Sequence, residues 1–277
     1  MTIAIVTDST SDIPDHLVEQ YQINVVPNVI VIDGRSMLDG KEISREEYYN
    51  QLPTLKVQPT TATTSSGMYQ ELYEKLLESG ARYILSIHAP RLLSGIYSAA
   101  SAAAQVYGDR VRVIDSGQVA LGLGYQVLAA AQAALQGASL EAIVALVESV
   151  RLRARVIAML DTLEYVQRSG RVSWARARIG TLLHLKPFVE VRDGQVLSLG
   201  ETRTRRKGIE HLRELLYRLG PLEQLAILHT NAAEDANYFL SSLVMDIPAD
   251  PLVVNITTVI GTHTGPNGLG FAAVIRE

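Results

Sequence analysis

Short β-branched runs alternating with helix-patterned stretches are what most limit the folds open to this 277-residue chain. Ile3–Val6 is an apolar run that ends in a polar cluster, Thr7-Asp8-Ser9-Thr10-Ser11-Asp12. That pattern predicts a buried strand, a loop, and a helix opening near Ile13-Pro14. Ile23–Ile32 reads as a strand closed by a turn at Asp33-Gly34. Ser44 and Glu47 have capping-box spacing and should start a helix, and Gly67–Leu77 continues the helical pattern. Tyr83–Ile87 and Val111–Ile114 are further short apolar runs, each after a helix and before a polar or glycine-containing loop. This alternation implies a doubly wound parallel sheet. Ligands of such sheets sit beyond the carboxyl ends of the strands. Three polar loops fall at such ends, after Val6, Ile87 and Ile114.

Ala129–Ala145 reads as one alanine-rich helix, and from about Arg151 the pattern changes. Phe188–Val191 and Val196–Leu199 flank Asp193-Gly194, a hairpin signature. Leu225–His229, Leu252–Thr258 and Phe271–Ile275 are strand-like, and a helix is predicted over Arg205–Leu219. The expectation is an α/β protein of two domains. Residues 1–152 would form the parallel α/β domain, and residues 153–277 an α+β domain with a mixed or antiparallel sheet.

Composition narrows the function. A net charge of −4 argues against nucleic acid as the main partner, since duplex readers carry a basic excess. The absence of cysteine excludes disulfides, thiolate nucleophiles and cysteine-based metal sites, and fits a reducing compartment. The first apolar run is too short for a signal-peptide core and meets Asp8 early. No run approaches the roughly 18 apolar residues of a membrane span. A cytoplasmic location is expected.

Hydroxyl-bearing residues cluster in predicted loops: Thr60–Ser66 with one alanine, Ser94-Gly95, and Thr262-His263-Thr264 before Gly265-Pro266-Asn267-Gly268. Hydroxyls, an imidazole and free N–H groups at a helix start can all donate to a carboxylate without a metal. The same serines and threonines also suit helix caps and turns, and His263 suits a structural role. A competing enzymatic reading makes Ser94 a nucleophile, His263 its base and Asp8 the orienter, giving an acyl hydrolase or transferase. Against it, Leu92-Leu93-Ser94-Gly95-Ile96 lacks a Gly-x-Ser-x-Gly elbow. A nucleotide-binding reading fails on motif. Gly122-Leu123-Gly124 lacks a third glycine, and Gly265–Gly270 lacks the Lys-Ser/Thr of a phosphate loop. Both glycine groups also fit tight backbone packing. The six histidines show no paired metal-ligand spacing, and no cofactor is implied.

The ordered set of segments is more specific than any one of them. Thr7–Asp12, Pro59-Thr60-Thr61, Leu92–Ala99, Val113–Ser116, Leu163-Glu164-Tyr165 with Ser169–Ser173, Arg203–Lys207 and Ile260–Pro266 together resemble the DegV family, across nearly the whole chain. The resemblance implies a fatty acid held between two α/β domains. It also implies a partner fatty-acid kinase that phosphorylates the bound acid to an acyl phosphate, within phospholipid metabolism. The chain itself would be a lipid-binding protein and not an enzyme, with transient contact to a membrane surface. Carried over residue by residue, the carboxylate binders are Thr61, Ser94 and His263. Ile96 stands where the family motif has threonine, and Thr61–Ser65 departs from the family's Thr-Ser-Gln-Pro-Ser stretch at three positions, Ala62 removing one donor. Arg171 and Arg203 match arginines that face the kinase or the phosphorylated product, and a solvated basic face accounts for them equally well. Ile179, Leu182, Leu183 and Val189 are candidates for the tail tunnel, and also have the character of ordinary core.

Overall fold

The computed structural model describes residues 2–176 and 185–277. Ile179, Leu182 and Leu183 therefore lie outside the described residues. The first half runs β1 (Ile3–Asp8), α1 (Asp15–Gln20), β2 (Asn24–Val26), β3 (Val29–Ile32), β4 (Arg35–Leu38), α2 (Arg45–Gln51), β5 (Thr60–Ala62), α3 (Ser66–Glu78), β6 (Tyr83–His88), α4 (Ile96–Ala104), β7 (Val111–Asp115), α5 (Ala120–Leu135) and α6 (Leu140–Arg153). The second half runs β8 (Ala154–Met159), α7 (Glu164–Ser169), α8 (Ser173–Arg176), β9 (Lys186–Arg192), β10 (Gln195–Thr202), α9 (Arg205–Tyr217), β11 (Leu222–His229), α10 (Ala233–Ser241), β12 (Leu252–Asn255), α11 (Thr258–Thr264) and β13 (Leu269–Ile275).

The molecule is an α/β protein with one parallel and one mixed sheet. The parallel sheet has the order β2-β1-β6-β7. The mixed sheet has the order β10-β9-β8-β13-β11-β12, antiparallel except between β11 and β12. A small antiparallel sheet, β4-β3-β5, stands apart from both. The hairpin expected from Phe188–Val191 and Val196–Leu199 forms as β9 and β10, turning at Asp193 and Gly194, both at positive φ.

Helix α5 joins the two large sheets. It packs on β1 and β6 on one side and on β8 and β13 on the other. It carries no charged residue and is buried nearly all round over Ala120–Leu128. One apolar cluster accordingly runs from Ile5 and Leu85 through Leu121 and Val127 to Val156, Ala226 and Ala272. Gly122 and Gly124 serve that packing, since a Cβ would strike Val156 at the first and the Ser11 carbonyl at the second. Among the described residues no helix is long and apolar enough to cross a membrane.

The structure corrects four expected elements. Ile23–Ile32 is not one strand. Pro27 lacks an N–H and divides it, sending β2 into the parallel sheet and β3 into the small one. Ala129–Ala145 is not one helix, because Gly137 at φ 81° ends α5 and Ser139 caps α6 by accepting from Ala142 N–H. The strand expected to reach Thr258 stops at Asn255. The polar segment beginning at Thr262 is not wholly loop, because α11 runs to Thr264 before Gly265 breaks it.

Candidate functional site

The carboxyl end of β1 sets the floor of the site. Asp8 is fully buried and accepts at Oδ1 from Thr10 N–H (3.0 Å), Thr10 Oγ1 (2.5 Å) and Asn28 Nδ2 (3.1 Å). Its other oxygen meets His88 Nδ1 at 2.9 Å. The chain of contacts continues from His88 Nε2 to Ser86 Oγ (2.7 Å) and on to the Tyr73 hydroxyl (2.8 Å), all buried. Burial alone would raise the Asp8 carboxyl. The His88 hydrogen bond and charge, with the Thr10 donors, outweigh it and hold Asp8 below the ordinary carboxylate range. Asp8 thus stays ionised and fixes Thr10 and Asn28, which both face a cavity of about 440 Å³.

Thr61, Ser94 and His263 all line that cavity. Thr61 lies on β5, Ser94 in the loop between β6 and α4, and His263 in the last turn of α11. Thr61 Oγ1 and His263 Nε2 are 3.0 Å apart. Ser94 Oγ accepts from the N–H of Ile96, the first residue of α4, at 3.3 Å, which leaves the serine proton to donate elsewhere. The β5 segment and the Ser94 loop touch closely, since a Cβ on Gly95 would stand 3.2 Å from Thr63 Oγ1.

His263 is neutral at physiological pH. Burial, then the nearby Arg171 charge, push its imidazole down to about 4. A neutral imidazole bonded to the Thr61 hydroxyl, with Ser94 lining the same cavity, supplies uncharged polar groups there. Arg171 also lines the cavity and donates from Nη1 to the Ser169 carbonyl at 2.6 Å. Arg203 is exposed in the turn between β10 and α9 and is not among the lining residues. Val189 is buried on β9 and lines the apolar side with Val172, Val191 and Leu160.

A Ser–His–Asp arrangement is not assembled from the three residues first considered for it. Asp8 is bonded to His88, and the His263 contact runs to Thr61. No group of three metal-ligating side chains occurs among the described residues. Asn28 is one of the lining residues that the sequence reading missed, with Thr10 and Arg91 among the others. The signal for Asn28 is a polar residue directly after Pro27, which follows β2.

A model of the DegV family, whose members are described as uncharacterised proteins, matches residues 2–276. The chain belongs to the DegV family. A DegV domain-containing protein of Caldanaerobacter subterraneus is 37% identical over 273 residues, which is 97% of each chain. Among solved structures, a fatty-acid-binding DegV family protein of Thermus thermophilus superposes with a TM-score of 0.91 at 32% identity. DegV of Bacillus subtilis, a fatty acid binding protein, gives 0.87 at 32% identity. Both alignments cover all of this chain and all of the other. In this DegV chain an apolar chamber adjoins the cavity. A second chamber of about 80 Å³ shares Val119, Leu160, Val189, Val191 and Ile260 with the first, and adds Ala158, Leu228 and Leu269.

Proposed function

We propose that this protein binds one long-chain fatty acid and presents its carboxyl group to a partner kinase. The observation that carries this reading is a cavity in which Thr61, Ser94 and His263 come together with Arg171, and whose remaining walls are largely apolar. In this reading Thr61, Ser94 and His263 bind the carboxylate. The tail passes Val189 and enters the second chamber. Residues 1–152 and 153–277 act as two domains that close on the ligand from either side.

The energetics suit the arrangement. A tail of ~14 methylenes gains on the order of 11 kcal/mol gross on burial. Ordering of ligand and protein consumes a large share of that. A carboxylate resists burial unless its oxygens are hydrogen-bonded, and the hydroxyls with a neutral imidazole meet that need. Related DegV proteins of T. thermophilus and B. subtilis that bind fatty acids support the assignment.

The phosphoryl transfer belongs to the kinase, which forms the acyl phosphate with its own metal and nucleotide. This chain supplies positioning and no catalytic group. Arg171, beside the head group, and Arg203, on the surface, meet the added negative charge of the product or the docked kinase. The protein works in the cytoplasm, takes the acid from a membrane surface and feeds phospholipid synthesis. Native mass spectrometry of protein purified without detergent tests the core of the reading. An added mass matching a fatty acid is expected. Protein free of acyl chain that also fails to take up added fatty acid would refute it.

A further inference from the structure

Helix α11 carries His263, yet its start is fastened by residues far away in sequence. Its N-cap, Thr257, donates its backbone N–H to Asp12 Oδ1 at 2.6 Å and its hydroxyl to Asp39 Oδ2. Thr258 donates its hydroxyl to the other Asp39 oxygen at 2.6 Å. Arg45 Nη1 lies 3.0 Å from Asp12 Oδ1 and also donates to the Asn255 carbonyl. The Tyr49 hydroxyl donates to the carbonyls of Ile256 and Thr257, at 3.1 and 3.2 Å. Tyr48 OH meets Thr262 Oγ1 at 2.6 Å, one residue before His263. Asp12, Asp39, Thr257 and Thr258 are all buried.

Capping a short helix does not require this. One side-chain oxygen suffices, and Thr257 supplies it by accepting from Val259 N–H. Two buried carboxylates near one another are costly, and apolar packing would stabilise the same contact at lower cost. Their placement has a geometric consequence. Asp39, Arg45, Tyr48 and Tyr49 belong to the small-sheet region, as does Thr61, so Thr61 and His263 ride on one fastened unit. Asp12 ends the polar loop after β1 and belongs with the parallel sheet, as does Ser94. Asp12 is therefore a joint between the unit holding Thr61 with His263 and the sheet holding Ser94.

We propose that Asp12, seconded by Asp39, is a positioning residue for head-group binding: it sets where the Thr61–His263 pair stands relative to Ser94. The proposal takes its ligand from the fatty-acid reading above. One of the two Asp12 oxygens, Oδ2, is buried with no hydrogen-bond partner among the described residues. Burial raises its carboxyl, Arg45 pulls it down and Asp39 raises it again, leaving it at about 7. Protonation weakens the Arg45 pairing, so the joint loosens as pH falls through about 7. The other charged or titratable groups facing it are Asp8, Asp39, Arg45, Tyr49 and, beyond Arg45, His229. Asp8 is held low, Tyr49 far up, and His229 down to about 4, so none of these three changes charge between pH 6 and 8.

The test is an NMR titration of the His263 Cε1–H resonance in full-length protein stripped of lipid, from pH 5 to 8.5. The wild type should show an inflection near pH 7, although the imidazole itself titrates near 4. Asp12→Asn should abolish that inflection. Arg45→Gln should move it upward. Thr257→Val should shift the resonance and Thr257→Ser restore it. A flat wild-type profile from pH 6 to 8, or an inflection that survives in Asp12→Asn, overturns the proposal. Should Asp12→Asn not fold, Arg45→Gln decides it alone, and an unmoved inflection overturns it, while the Thr257 variants read only the Asp39 contact. Decanoate titrations add the functional arm. Asp12→Asn should bind about tenfold more weakly at pH 8 and lose its pH dependence, a coupling of ordinary size. If wild-type protein binds no decanoate, the fatty-acid reading falls, while the His263 titration still decides whether the joint exists.

Discussion

At the scale of single residues, the polar part of the cavity combines hydroxyls, a neutral imidazole and the Arg171 guanidinium. Thr61 and His263 satisfy one another at 3.0 Å, and burial with the Arg171 charge keeps the imidazole neutral. In the proposed reading Ser94 donates to the carboxylate of the ligand. Ser94→Ala should therefore cost the hydrogen bond to a charged ligand, about 1.5–3 kcal/mol. That is roughly ten- to hundredfold in the dissociation constant for a fatty acid, measurable by calorimetry. The buried histidines set an acid limit on stability. The folded-state values of His263 and His229 are pushed from 6.5 to about 4. Between these values the unfolded chain binds protons that the folded one refuses, so stability present above pH 6.5 is lost as pH falls toward 4. Asp12 acts oppositely, because its raised carboxyl stabilises the fold at low pH and that contribution is lost as pH rises through about 7. Urea midpoints from pH 4 to 7 should fall toward acid, and His263→Gln should flatten that slope. The motifs around Ser94 and His263 were legible in the sequence because both are local signatures. Asn28 and the Asp12–Thr257 bond were not, because a hydrogen bond between residues 245 positions apart leaves no local pattern.

At the scale of elements, strand character was legible wherever β-branched residues ran together, and the boundaries were set by backbone chemistry. Pro27 and Gly137 each divided what hydrophobicity alone joined. Helix α11 was hidden because its Thr-Val-Ile-Gly-Thr-His-Thr sequence has poor helix propensity, and its stability comes from Thr257, Asp12, Asp39 and Tyr48. Gly261 belongs to the same arrangement, since any Cβ there would enter the Tyr49 ring. The strand β8 carries a test of the tail path. Ala158 lines the second chamber, about 80 Å³ in volume. Ala158→Phe should fill it and displace two or three methylenes, about 2 kcal/mol, or roughly thirtyfold against the longest chains. The acyl-chain profile of the purified variant, read by mass spectrometry, should move to shorter acids. An unchanged profile would place the tail elsewhere.

At the scale of the whole molecule, α5 makes the two large sheets share one apolar cluster. Loss of packing on either face of α5 exposes the other, so thermal unfolding should be a single transition. Saturating fatty acid at a hundredfold excess over its dissociation constant should add about 2.7 kcal/mol by mass action. Calorimetry of stripped and refilled protein checks both points. Two separated transitions, with only one moved by ligand, would contradict the shared core.

The sequence by itself determined the α/β class, the parallel arrangement of the first strands, a later sheet that is mixed or antiparallel, and family membership. These depend on periodicity and on short motifs, which are properties of neighbouring residues. Only the tertiary structure decided that Thr61, Ser94 and His263 line one cavity, that Asp8 pairs with His88, and that Asp12 and Asp39 hold the start of α11. Those facts depend on the crossing of chain segments tens to hundreds of residues apart. The physical reason is that burial and hydrogen bonding act through space, while the sequence records only order along the chain.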